Sequence, residues 1–122
     1  MLACARIITA LRIEQRSHVL SGARNGLTKP CRQWDGARSR GGGRPSSGFY
    51  GSIRIPGVEG GGVRAHVASA WAAGILREPR VPAGMHIDHL CQRSLCVEPD
   101  HFELVPAAEN LRRIHTRRKQ EK

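Results

Sequence analysis

The sequence predicts a small α+β fold held together by a metal ion, and three observations carry that expectation. Residues 85–118 read as strand, ligand-rich loop, strand and helix in that order. The loop places Cys91, Cys96 and His101 within eleven residues. Thiolates and imidazoles are the donors that structural zinc takes, usually four at tetrahedral geometry, so three in one loop ask for a fourth from elsewhere. Finally, 122 residues with five aromatic side chains and 14 glycines make one domain with a small apolar core, for which a metal staple is useful.

Each element has its own signal. Residues 5–20 set Ile7, Ile8, Leu11 and, less regularly, Ile13 among Arg6, Arg12 and Arg16, which fits a short amphipathic helix in an N-terminal extension spanning residues 1–28. The other reading of that segment is a basic contact arm. Residues 21–30 and 36–48 are rich in Gly, Ser, Arg and Pro and read as loops. Within the second, Arg38-Ser39-Arg40-Gly41-Gly42-Gly43-Arg44 reads either as a basic loop following a phosphate backbone or as a solvated insertion.

Residues 49–55 and 63–67 alternate as two strands about a turn from 56 to 62. Ala68 to Leu76 are good helix formers, with Trp71 and Ile75 at i and i+4 for a buried stripe, and Pro79 and Pro82 close the segment. Met85 to His89 reads as a strand, 90–101 as the ligand loop, and Phe102 to Val105 as the return strand. Ala107 to Arg118 reads as a basic helix carrying Asn110, and residues 119–122 as a tail.

Charge narrows the partner. The formal net charge is +10, with twenty basic residues against ten acidic, which favours a polyanion. Arginine supplies 17 of the twenty, a preference that a GC-rich coding sequence also produces; the excess of basic over acidic residues is harder to obtain that way. Four cysteines without a secretory signal argue against a disulfide scaffold and for a reducing, cytoplasmic setting. No apolar run approaches membrane-spanning length, so no membrane partner is expected.

The chemistry concentrates in one run, Asp88-His89-Leu90-Cys91-(x4)-Cys96-(x4)-His101-(x8)-Asn110. An imidazole such as that of His89, with an ordinary pKa near ~6.5, accepts a proton at neutral pH and suits a general base. Its other reading is a further ligand to the ion at Cys91. Asn110 offers an amide oxygen to a hard divalent cation, and Asp88 a carboxylate. Adjacent strand residues face opposite sides, so Asp88 and His89 enter one site only where the strand ends or bulges.

This run resembles the HNH (His-Me finger, ββα-metal) endonucleases, in the branch with a zinc-bound loop seen in His-Cys box homing endonucleases and many phage HNH proteins. From His89 the offsets are +2 to Cys91, +7 to Cys96, +12 to His101 and +21 to Asn110. The likeness continues upstream through Cys31-Arg32-Gln33-Trp34-Asp35-Gly36, Gly48-Phe49-Tyr50-Gly51 and Arg64-Ala65-His66, covering roughly residues 30 to 115 of a domain at 29–118.

The resemblance implies a ββα-metal fold preceded by a β-hairpin and a helix, and a metal-dependent enzyme that hydrolyses DNA phosphodiester bonds. His89 would be the general base. Asn110, and in many members the preceding acid (here Asp88), would hold Mg²⁺ or a similar ion. Cys31 would complete the zinc site with Cys91, Cys96 and His101, with Cys4 as the competing fourth ligand. An arginine at the scissile phosphate would be Arg54 or Arg64. Double-stranded DNA is the implied partner, a bacterial cell or phage-infected host the implied setting, and the chain a monomer or homodimer.

Two positions depart from the pattern. Val67 stands where relatives often carry Arg after Ala-His, and Glu98 where they favour Asn before Pro. The competing function is a catalytically inactive, zinc-stabilised DNA-binding module. A structural zinc protein with an acidic protein partner accounts for the charge but for neither His89 nor Asn110.

Overall fold

A small set of short elements is arranged around two tryptophans. The computed structural model describes residues 2–23, 26–40, 49–58 and 62–121. Helix α1 (Leu2–Gln15) leads into strand β1 (Ser17–Ala23), which pairs antiparallel with β2 (Pro30–Trp34). Strands β3 (Arg38–Arg40), β4 (Phe49–Ile53) and β5 (Val63–Arg64) form a second antiparallel sheet. Helix α2 (Ala65–Ala72) follows, then β6 (Met85–His89), a 3-10 turn (Pro99–His101), β7 (Phe102–Pro106) and helix α3 (Ala107–Glu121). The C-terminal part is the ββα unit that the sequence predicts, with β6 and β7 paired from Met85↔Pro106 to His89↔Phe102.

Several elements differ from their sequence reading. Helix α1 ends at Gln15, and Ser17–Ala23 is a strand that the sequence leaves divided between helix and loop. Its pattern is mostly exposed without alternation, so β1 is held by pairing with β2 rather than by burial of one face. The face of α1 that packs on α2 is Ala5, Thr9 and Ile13, spaced i, i+4, i+8, whereas Ile7, Ile8 and Leu11 lie exposed. Small side chains at Ala5 and Thr9 let the two helices approach, and the Thr9 hydroxyl donates to the Ala5 carbonyl at 2.7 Å.

The second strand of the expected hairpin is short. The chain turns helical at Ala65, so Ala65, His66 and Val67 belong to α2 and all three are buried. Because α2 is buried on every side from Ala65 to Trp71, period-two alternation there carries no information about strand or helix. Its C-terminal turn then departs from helix, with Gly74 at φ 87. The expected Trp71–Ile75 stripe is thereby replaced: Leu76 turns into the core and Ile75 outward.

Trp34 and Trp71 anchor the core with Ile53, Ile55, Val97 and Phe102. The Trp34 indole donates to the Ala37 carbonyl at 2.8 Å and lies against Gly36 and Gly51, where an added methyl group would overlap the ring. The stretch Gly41 to Arg44, part of the basic loop, lies outside the described residues.

Candidate metal centre and catalytic cleft

Two sites share the loop between β6 and β7. The first is a buried cluster of Cys31, Cys91, Cys96 and His101, whose ligand atoms all lie within 4.8 Å of one another. The His101 Nδ1 stands 3.6 Å from Cys31 Sγ and 3.5 Å from Cys96 Sγ. Those separations match the edges of a tetrahedron built on Zn–S of about 2.3 Å and Zn–N of about 2.0 Å. The other ring nitrogen of His101, Nε2, lies 2.8 Å from the Lys29 carbonyl, a pure acceptor, so Nε2 carries the proton and Nδ1 presents its lone pair to the sulfurs. The donor set therefore fits zinc.

Burial and the neighbouring Cys91 push the Cys31 thiol up, and the hydrogen bond with Cys91 pushes Cys96 up, while Cys91 is lowered to about 4 chiefly by that same bond. Three thiol groups this close deprotonate together only around a cation.

Cys31 reaches the loop because β2 runs alongside it. Trp34 N donates to Leu95 O at 2.9 Å and Val97 N to Arg32 O at 2.8 Å, about a Gln33↔Cys96 bridge. Leu20 and Leu27 pack against the cysteines from outside. Cys4 is exposed on α1 and takes no part in the cluster.

The second site is a cleft of about 450 Å³ whose walls include Asp88, His89 and Asn110, together with Tyr50, Gln92, Arg117 and Arg118. The fold thus brings together Asp88, His89 and Asn110, three of the five residues that the sequence proposes for chemistry, with Arg54 and Arg64 outside the cleft lining. His89 is the last residue of β6, paired with Phe102. Its ring packs 4.6 Å from that of His66 and 5.1 Å from Phe102, measured between centroids. Burial is the main cause that drives the His89 pKa below the ordinary imidazole value, so the ring is neutral at pH 7. Its Nε2 is hidden from solvent without a hydrogen-bond partner among the described residues.

Asn110, in the first turns of α3, directs its Nδ2 to His86 Nδ1 at 3.0 Å, an orientation that leaves the amide oxygen uncommitted to that bond. One amide oxygen beside the cleft fits a hard cation that completes its shell with substrate and water oxygens. Asp88 differs, since its carboxylate already accepts from two arginines of α3.

The two arginine candidates separate. Arg64 lies over the Tyr50 ring at 4.4 Å, and Tyr50 lines the cleft. Arg54 is exposed, its carbonyl held by Arg12 at 3.5 Å, and neither arginine itself lines the cleft, so contact with Tyr50 is what sets Arg64 apart.

The sequence reading did not single out Tyr50, Gln92 or Arg117 for the site. Gln92 carries the one non-glycine positive φ (60°) among the described residues, the bend that starts the metal loop beside the cleft. Arg117 falls on the helical rows that follow Asn110, so helical periodicity from Asn110 was the available signal.

His66 makes acid stability predictable. Burial, then the nearby His89 and Arg64, lower its pKa from 6.5 to about 3. A group with a depressed cationic pKa holds its full stability above pH 6.5 and loses it as pH falls toward 3. At pH 5 the loss from this group alone is about 2 kcal/mol. The melting temperature should therefore fall less between pH 7 and pH 5 in His66→Phe than in the parent. Parallel pH profiles for the two proteins would show that His66 is not buried neutral.

Comparison with known families bears on the same segment. Residues 73–112 match a family model described as HNH endonuclease, a span holding Asp88, His89, Cys91, Cys96, His101 and Asn110. No curated protein and no solved structure matches the chain.

Proposed function

Residues 73–112 match the HNH endonuclease family model, and from that match we propose that the protein hydrolyses DNA phosphodiester bonds in a metal-dependent reaction. The observation that carries this reading is the meeting of a neutral, buried His89 and Asn110 in one cleft beside a buried Cys₃His cluster. A pure binding module has no physical need for that pair.

In the proposed reaction His89 takes a proton from water as the water oxygen attacks phosphorus and the 3′ oxygen departs. Holding the imidazole between His66 and Phe102 fixes its ring plane without adding a charge. Asn110 is the proposed ligand of Mg²⁺ or a similar ion, which when bound supplies electrostatic stabilisation of the leaving oxygen and the phosphate. Arg64, over Tyr50 at the cleft wall, is the candidate for charge neutralisation on the scissile phosphate in preference to Arg54. Cys31, Cys91, Cys96 and His101 are the proposed ligands of a structural zinc. The net charge of +10 fits a DNA partner, and among the described residues no helix is long and apolar enough to cross a membrane.

The test is nicking of supercoiled plasmid by zinc-loaded protein. Conversion to open circles on addition of magnesium is the expected result. DNA binding without nicking at any magnesium concentration would favour the inactive binding module instead.

A further inference from the structure

Asp88 is only 3% exposed, and its two carboxylate oxygens accept three hydrogen bonds. Arg117 grips it end-on, Nη1 to Oδ1 and Nη2 to Oδ2, both at 2.9 Å, and Arg113 Nη1 adds a third to Oδ2 at 2.9 Å. A carboxylate offers about four acceptor positions, so little is left for a cation, which would also meet two guanidinium charges at close range. Burial raises the Asp88 pKa, but the hydrogen bonds from Arg117 and Arg113 outweigh it and the net shift is downward, so the group is a firm anion.

The two arginines are not equivalent. Arg113 also pairs with Glu103 at 2.6 Å and Glu109 at 3.1 Å, which surrounds it with carboxylates. Arg117 has Asp88 as its one ion-pair partner among the described residues, and it lines the cleft with His89 and Asn110. Its guanidinium has more N–H donors than the two spent on Asp88, and planar forks of this kind suit phosphate oxygens.

We infer that Arg117 binds a DNA phosphate at the cleft, and that Asp88 is the positioning residue that holds Arg117 there rather than a ligand of the divalent cation. The inference rests on the proposed DNA-cleaving role for its substrate, and its test does not depend on cleavage.

The two roles of Asp88 predict opposite signs for duplex binding measured without added magnesium. Removing a carboxylate that waits for a cation takes negative charge away from the phosphate path, so Asp88→Asn would bind DNA more tightly. Removing a carboxylate that positions Arg117 weakens binding despite the added net positive charge.

The experiment is fluorescence anisotropy of a short DNA duplex with the zinc-loaded full chain across a salt series. Arg117→Gln is expected to weaken binding about three- to tenfold and to reduce the log–log salt slope by about 0.9. Asp88→Asn should weaken binding in the same direction, and the double variant should be no weaker than Arg117→Gln alone. Arg117→Gln, which leaves Arg113 on Asp88, carries the test if Asp88→Asn does not fold.

Binding by Asp88→Asn that equals or exceeds the parent overturns the inference, as does an unchanged salt slope in Arg117→Gln or a parent that does not bind the duplex. A parent that binds as expected but never nicks removes the hydrolytic reading and leaves Arg117 a phosphate contact.

Discussion

Cys31→Ser is expected to lower zinc affinity and thermal stability together, whereas Cys4→Ser should change neither. Cys31 and the three loop ligands lie within one buried cluster, but they come from segments sixty residues apart. A bound zinc would therefore tie β2 to the loop between β6 and β7, with β3, β4, β5 and α2 between the two anchor points in sequence. Loss of a zinc ligand should exceed the roughly 10–100-fold effect of losing an outer partner of a metal site.

Full removal of zinc is the stronger perturbation. Structural zinc contributes about 10–16 kcal/mol in small zinc modules, against a total stability of about 5–15 kcal/mol for an ordinary domain. Chelation should accordingly abolish the cooperative thermal transition seen by circular dichroism. The backbone bonds Trp34 N to Leu95 O and Val97 N to Arg32 O, with the packing of Trp34, are what could hold β2 to the loop without metal. A sharp transition at an unchanged temperature after chelation would show that these contacts suffice and that the cluster is not the staple.

The second large effect belongs to His89. Its environment supplies two of the things a general base needs, a neutral ring at pH 7 and a fixed orientation between His66 and Phe102. Loss of a positioned base typically costs 10²–10⁴ in rate. His89 is a proposed ligand of neither ion, so His89→Ala should keep its zinc and its folded transition while nicking fails.

What could be read from the sequence divides along the kind of contact that forms each element. The ββα unit was legible because its signals are local: short strand-like segments at Met85–His89 and Phe102–Pro106 flank a ligand-bearing loop, and helix formers begin at Ala107. The four-ligand cluster was legible through donor chemistry together with a family resemblance, since nothing local to Cys31 tells it from Cys4. Strand β1 was not legible, because cross-strand pairing with β2 holds it and its mostly exposed residues carry no alternation. Helix α2 was misread at its start for the opposite reason, since complete burial of Ala65, His66 and Val67 makes strand and helix patterns look alike.

The cleft shows the same division. Asp88, His89 and Asn110 were named from their donor chemistry and the family resemblance, and the fold gathers them. The engagement of Asp88 depends on Arg113 and Arg117, 25 and 29 residues away, and on the angle at which α3 crosses β6. No local pattern encodes that angle. The same holds for Arg64 against Arg54: both are exposed arginines flanking the β4–β5 turn region, and only the position of Tyr50 distinguishes them.

The central claim is that this cleft hydrolyses DNA with His89 as the base. Its most direct measurement is the initial rate of supercoiled-plasmid nicking in magnesium by the parent and His89→Ala proteins at equal zinc content. Nicking by the parent and a rate at least about 100-fold lower for the variant are expected. Nicking by His89→Ala at the parent rate, in preparations free of contaminating nuclease, would contradict it.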